Sequence, residues 1–187
     1  MAETDTRRRG DTRARIQSIA LERFTDNGYD QTSLREIAED LGVTKAALYY
    51  HFKSKEEILD SLLGQASTEL EALVTWMASE PSTRERRLEM LRRLGMIARG
   101  VPGDVIRCVQ QNEVALQNLG ATTQLVHGLK ARLSAAAQPD DAGVEDRLRV
   151  RLAIMAVLVA NKTGADLGGT ADERAQAAQS VAADLMP

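Results

Sequence analysis

The stretch Gly42-Val-Thr-Lys-Ala-Ala-Leu-Tyr-Tyr-His-Phe-Lys-Ser-Lys-Glu-Glu-Ile-Leu59 decides the fold. It reads as a tight polar turn, a short helix and the capped start of a longer helix. Between Thr44 and Lys55 it holds three lysines, two adjacent tyrosines and one histidine, and no carboxylate. Lysine, tyrosine, threonine and histidine side chains all donate hydrogen bonds to phosphate oxygens. An acid-free surface of that chemistry suits a polyanion.

The residues before it complete a helix-turn-helix. Leu34, Ile37, Ala38 and Leu41 fall at i, i+3, i+4 and i+7, one apolar face of a helix. Ser33 and Glu36 form an S-x-x-E capping box at its start. Gly42 follows the last apolar position, where a left-handed residue ends a helix. Thr44 then suits the N-cap of the next helix. Leu48 and Phe52 form the inward side of that helix, which turns Lys45, Ala46, Ala47, Tyr49, Tyr50 and His51 outward. Two helices joined by a tight glycine turn, the second with a polar outer face, are the DNA-binding arrangement. Ser54 and Glu57 make a second S-x-x-E box, opening a further helix at once.

The run from Thr32 to Leu59 resembles the DNA-binding domain of the tetracycline-repressor (TetR/AcrR) family. Ile16, Ile19, Ala20 and Phe24, followed by Asn27-Gly28-Tyr29, resemble that family's first helix and turn. The resemblance covers about Arg13 to Leu63. Beyond it, only the length and helical character are similar. The resemblance implies that Thr44, Lys45, Tyr49, Tyr50, His51 and Lys55 meet DNA, mostly at phosphates, and that Arg35, Ala46 and Ala47 lie where base edges can be reached. Thr32, Ser33 and Lys53 are read as further phosphate contacts. The alanines can offer only methyl contacts, for example to thymine. The resemblance also implies that the second half of the chain holds an effector site and a dimer interface.

Composition agrees with these expectations. Residues 1–55 hold 10 Lys+Arg against 9 Asp+Glu, whereas residues 56–187 hold 14 against 18. The overall net charge of −3 therefore hides a basic concentration at Arg7–Arg15 and Lys45–Lys55, and local field governs approach to phosphate. Cys108 is the one cysteine, which excludes an internal disulfide and a cysteine zinc site and fits a reducing cytoplasm. The longest apolar run, Leu152 to Ala160, is too short to span a bilayer. No phosphate-binding glycine loop, H-E-x-x-H or G-x-S-x-G occurs. The sequence offers no catalytic set, calls for no cofactor and places no metal ligands at working spacing.

The expected organisation is all-α: a basic arm over residues 1–10, a helix-turn-helix domain over 11–54, and a larger helical domain over 55–187. Arg7–Arg9 are either a solubilising tail or an arm that enters a minor groove. In the larger domain, the helix starting at Val144 turns apolar around its whole circumference from Leu152, so it must be buried on all sides. Small residues follow in the last helix. Leu152, Met155, Leu158, Val159, Ala175, Ala178 and Ala182 are the expected homodimer interface. The domain's only aromatic is Trp76, so an effector cavity there suits an aliphatic or flexible molecule. Met90, Leu94, Ile97, Cys108, Leu116 and Leu125 are the candidate walls, with Gln111, Asn112 and His127 as polar neighbours. The plainer reading is that these side chains simply pack together. A redox role for Cys108 would need exposure and a low pKa.

The expected function is a sequence-specific transcriptional regulator: a homodimeric repressor on a near-palindromic operator, released by a small apolar effector. The competing class is a helical protein-interaction module that binds no DNA. It leaves the acid-free run from Thr44 to Lys55 without a reason.

Overall fold

A computed structural model describes residues 2–116, 120–160 and 167–187, with side chains for 11–116, 128–160 and 167–187. Its helices are α1 (Ala2–Asp26), α2 (Leu34–Leu41), α3 (Lys45–His51), α4 (Lys55–Ala78), α5 (Arg84–Arg99), α6 (Val101–Gln111), α7 (Gly120–Ala136), α8 (Val144–Val159) and α9 (Ala171–Leu185). No strand occurs among the described residues, so the fold is all-α as expected. No helix among them is long and apolar enough to cross a membrane. The backbone of α1 extends back to Ala2, where the sequence suggested a flexible arm. The side chains of Arg7–Arg9 lie outside the described set.

Most helix ends sit where short-range chemistry puts them. Ser33 Oγ accepts the Glu36 amide and Glu36 returns a carboxylate to the Ser33 amide. Thr170 and Glu173 repeat the arrangement at α9. Gly42 ends α2 at φ 69°, the left-handed geometry that favours glycine. The Val43 amide donates to Ala38 O at 3.0 Å and the Gly42 amide to Glu39 O at 3.1 Å. At α5 the cap is Thr83, which accepts from the Arg86 amide, and not the preceding Ser82 of the Ser82-x-x-Glu85 pattern. Ser82 serves another partner, because its carbonyl accepts the buried Arg87 guanidinium.

The chain divides into two compact units. The first comprises residues 1–65 and 105–123. Its core gathers Ile16, Phe24, Ile37, Leu48, Phe52, Ile58 and Leu59, all fully buried. Each such side chain contributes roughly 1.5–3 kcal/mol on leaving water. Phe24 and Tyr29 meet with ring centroids 5.0 Å apart. This unit is larger than the expected 11–54 domain. Residues 105–123, placed by sequence in the second domain, belong to it because Val105, Ile106, Cys108 and Val109 are buried and Asn112 is hydrogen-bonded within it.

The second unit comprises residues 66–104 and 124–187. α5, α8 and α9 pack on one another around Met90, Leu94, Val150, Ala153 and Ala182. Two guanidiniums lie over the Trp76 ring, Arg93 at 3.9 Å and Arg86 at 4.4 Å from its centre. Gly103 is a close-approach site, since a Cβ there would stand 1.9 Å from Ala98 O.

Gly103→Ala should therefore destabilise the protein by roughly 2–4 kcal/mol, because rigid backbone must move. Gly64→Ala, on an exposed helical position with nothing near its Cβ, should instead stabilise by about 1 kcal/mol. Urea titrations of the two variants check the opposite signs.

Candidate nucleic-acid interface

α3 has one inward side. Leu48 and Phe52 are fully buried, and helical spacing then turns Thr44, Lys45, Ala46, Ala47, Tyr50 and Lys53 outward, all exposed, with Tyr49 and His51 half-buried. Thr44 Oγ1 accepts the Ala47 amide at 3.2 Å, which leaves the hydroxyl proton for an outside acceptor. The Lys45 ammonium lies 5.4 Å from the Tyr49 ring centre. Tyr50 and His51 meet edge to face. Lys53 Nζ donates to Tyr49 O at 2.8 Å and caps the end of the helix while staying exposed.

The neighbouring acids are tied down. The Arg23 guanidinium holds the Asp40 carboxylate and keeps it below the usual carboxylate range. Glu36 is likewise held down, first by the Ser33 hydroxyl and amide. Glu39 pairs with Arg35, Nε to Oε1 at 2.7 Å. That pair is exposed, 78% on the arginine side, so it is worth at most about 1 kcal/mol and exchanges readily.

Two expected phosphate contacts are corrected. Thr32 is only 2% exposed, and its hydroxyl donates to Gly28 O at 2.9 Å. Lys55 Nζ donates to Tyr29 O at 2.8 Å and lies 3.4 Å from both Asp30 O and Thr32 O, with the ammonium 4.3 Å from the Tyr29 ring centre. Both side chains hold the α1–α2 turn. Ser33 is exposed and engaged with Glu36.

Asn112, expected as an effector ligand, is corrected too. It is buried and works on the same turn. Its Oδ1 accepts the Tyr29 amide at 2.7 Å, and its Nδ2 donates to Phe24 O and Cys108 O, each at 2.9 Å. Cys108 is buried, and burial pushes its thiol up to about 11, so it stays protonated and a redox-sensor role is ruled against.

Arg13 is a positioning residue that sequence reasoning missed. It donates to His51 O at 2.9 Å and to Ser61 Oγ at 3.3 Å, with its guanidinium 4.0 Å from the Phe52 ring centre. It thereby fastens the end of α3 to α1 and α4. In sequence it looked like one more charge in the basic amino-terminal run.

The remaining effector candidates fall in both units. Met90 and Leu94 are fully buried in the second unit, while Cys108 and Leu116 are fully buried in the first. Gln111 is exposed. Ile97 lines an open groove of about 400 Å³ with Glu69, Ala72, Leu73, Arg93 and Met96. The side chains of Leu125 and His127 lie outside the described residues.

The dimer candidates divide by face. Leu152 and Met155 are exposed, and Leu158, Val159 and Ala178 are half-buried. Ala175 and Ala182 are corrected: both are buried in the chain's own core, where small side chains let helices approach closely.

Residues 16–62 match the family model described as bacterial regulatory proteins, tetR family. The chain is 34% identical over 89 residues to the helix-turn-helix transcriptional regulator AcrR of Shigella flexneri, spanning 48% of this chain and 35% of that one. It is 41% identical over 56 residues to the helix-turn-helix transcriptional repressor BepR of Brucella suis biovar 1, spanning 30% of this chain and 27% of that one. The matched part is thus about a third of each relative's length or less. The crystal structure of PfmR, a TetR family transcriptional regulator from Thermus thermophilus, superposes with a TM-score of 0.61 at 28% identity, covering 92% of this chain and 94% of that one.

Asn112→Asp places a carboxylate against two carbonyls it cannot donate to. It should cost roughly 1–3 kcal/mol and weaken DNA binding, read by urea unfolding and by anisotropy of labelled DNA. The Asp40 and Glu36 carboxyls are depressed in the folded state, so their contribution is present above the unfolded value and lost as pH falls through the folded ones. Stability should therefore drop as pH is taken below about 4, and Asp40→Asn should remove part of that drop in urea titrations from pH 7 to 3.

Proposed function

We propose that this chain, a DNA-binding transcriptional regulator belonging to the tetR family, acts as a homodimeric repressor. A small, largely apolar effector releases it from a near-palindromic operator. The observation that carries this reading is the exposed, acid-free outer face of α3, set on a fully buried inner face.

In this reading α3 lies in the major groove. The Ser33, Thr44, Tyr50 and Lys53 side chains and the half-buried His51 position it on phosphates. Arg35, Lys45 and Tyr49 read base edges, while Ala46 and Ala47 offer methyl groups to thymine. Arg35 leaves Glu39 to do so, an exchange that the exposed pair makes cheap. Lys55 and Thr32 act one step back by fixing the turn that aims α2. BepR, named as a repressor, supports the sign of regulation. The exposed apolar side chains Leu152 and Met155 support pairing of two copies. The aliphatic interior of the second unit supports an apolar effector rather than a flat aromatic one. A reducing cytoplasm suits the single thiol.

Selection from a random DNA pool should return near-palindromes with half-sites about 34–36 Å apart or a multiple of that. Their binding should fall steeply with salt as counterions are released. Tyr50→Phe should weaken all sequences alike. Arg35→Ala should relax preference at one position by roughly 1–3 kcal/mol, and an unchanged selected sequence would remove Arg35 from the readout. An aliphatic ligand that raises the melting temperature should also lower operator affinity, since both follow from preferring one conformation. A strongly stabilising ligand that leaves operator affinity untouched would refute induction.

A further inference from the structure

Arg35 and Glu39 share one face of α2. At about 100° per residue they stand roughly 40° apart around the helix. The buried Ile37 lies about 200° from Arg35, on the opposite side. Among the described residues each has the other as its side-chain hydrogen-bond partner, Nε to Oε1 at 2.7 Å, and the glutamate stays 59% exposed. The other two acids of α2 are placed differently. Glu36 lies about 100° round from Arg35 and accepts the Ser33 amide at 2.8 Å and the Ser33 hydroxyl at 2.7 Å. Asp40 lies about 140° round and accepts Arg23 Nη2 at 2.7 Å. Neither depends on Arg35. Of the three, Glu39 is the acid that loses its partner when Arg35 turns to DNA.

A bare carboxylate beside a polyanion is unfavourable, and it can only accept hydrogen bonds. Phosphate oxygens, guanine O6 and N7 and thymine O4 are acceptors too, and they repel it. The major groove offers two amine donors, cytosine N4 and adenine N6. Adenine sets its amine beside the N7 acceptor, whereas cytosine shows the amine alone, so cytosine suits a carboxylate better. Arg35 offers a forked donor, which suits guanine O6 and N7. Four residues of helix advance about 6 Å, less than two base steps at about 3.4 Å each. The pair can therefore change partners together, the cation to guanine and the carboxylate to cytosine.

Resting on the reading of Arg35 as a base contact, we propose that Glu39 is a second specificity-determining residue, which accepts from a cytosine N4 amine within two base steps of the guanine that Arg35 takes. At such a site both members of the pair exchange one partner for another. At other sequences the exchange strands the carboxylate, so the pair stays closed and Arg35 is kept from phosphate. Glu39 thus lowers affinity for DNA in general and raises discrimination.

The test is selection from a random DNA pool by the full chain, by Glu39→Gln and by Arg35→Ala. Glutamine keeps the size of glutamate but both donates and accepts, the pattern that adenine N6 and N7 require. Glu39→Gln should therefore replace cytosine by adenine at one position, with the preference for cytosine falling on the order of 10-fold. Arg35→Ala should relax a different position within two base steps of it. On DNA lacking the selected sequence, Glu39→Gln should bind more tightly than wild type, and its log-log salt slope should steepen by about 0.9 as Arg35 gains a phosphate. A purely structural role for the pair weakens every sequence alike and shifts neither base preference nor slope. Glu39→Gln selecting the wild-type sequence overturns the proposal and leaves Arg35 as a reader. So does a change confined to the position that Arg35→Ala relaxes, since Glu39 then acts through Arg35. Arg35→Ala selecting the wild-type sequence overturns the reading on which the proposal rests.

Discussion

The whole DNA-facing unit depends on how the α1–α2 turn satisfies its own backbone. A buried amide or carbonyl without a partner costs about as much as a lost hydrogen bond, and this turn has no helix ladder to supply partners. Three side chains do so, Asn112 and Lys55 from distant parts of the chain and Thr32 from the turn itself. Asn112 takes the Tyr29 amide and gives to Phe24 O. Lys55 reaches Tyr29 O, and Thr32 reaches Gly28 O. The orientation of α2, and through Gly42 that of α3, follows from this knot. The end of α6 thereby belongs to the DNA-facing unit, although the sequence places it nearly sixty residues past α3.

Charge on that unit is arranged by subtraction as much as by addition. The outer face of α3 has no acids of its own, and those of α2 are taken up by Arg23, Ser33 and Arg35. The basic groups are also fewer than the composition suggests. Arg13 and Lys55 hold backbone carbonyls. What remains outward is a small set of flexible or hydroxyl-bearing donors, among them Thr44, Lys45, Tyr50 and Lys53.

The second unit solves a different problem. From Leu152 onward α8 is apolar all round, and one unit can cover only one side of it. α5 and α9 cover the side with Val150, Ile154 and Val157. The other side stays open, and its exposed apolar area is the kind of patch that marks an association surface.

The sequence by itself determined what depends on near neighbours. The capping boxes at Ser33 and Thr170, the left-handed Gly42, the inward pair Leu48 and Phe52 and the outward set on α3 all follow from residues within one or two helical turns, where spacing fixes direction. Tertiary structure decided whatever pairs residues far apart. Lys55 looked like a phosphate ligand, and Arg13 like one more charge in a basic run, because a cation's choice between a carbonyl and a phosphate depends on which lies within reach. Asn112 looked like an effector ligand for the same reason. Ala175 and Ala182 looked like interface residues because a small side chain suits any close helix contact, and only packing says which helix comes close. The effector candidates illustrate the limit most clearly: an apolar residue lines a cavity or fills a core with the same chemistry, and chain topology alone assigned Met90 and Cys108 to different units.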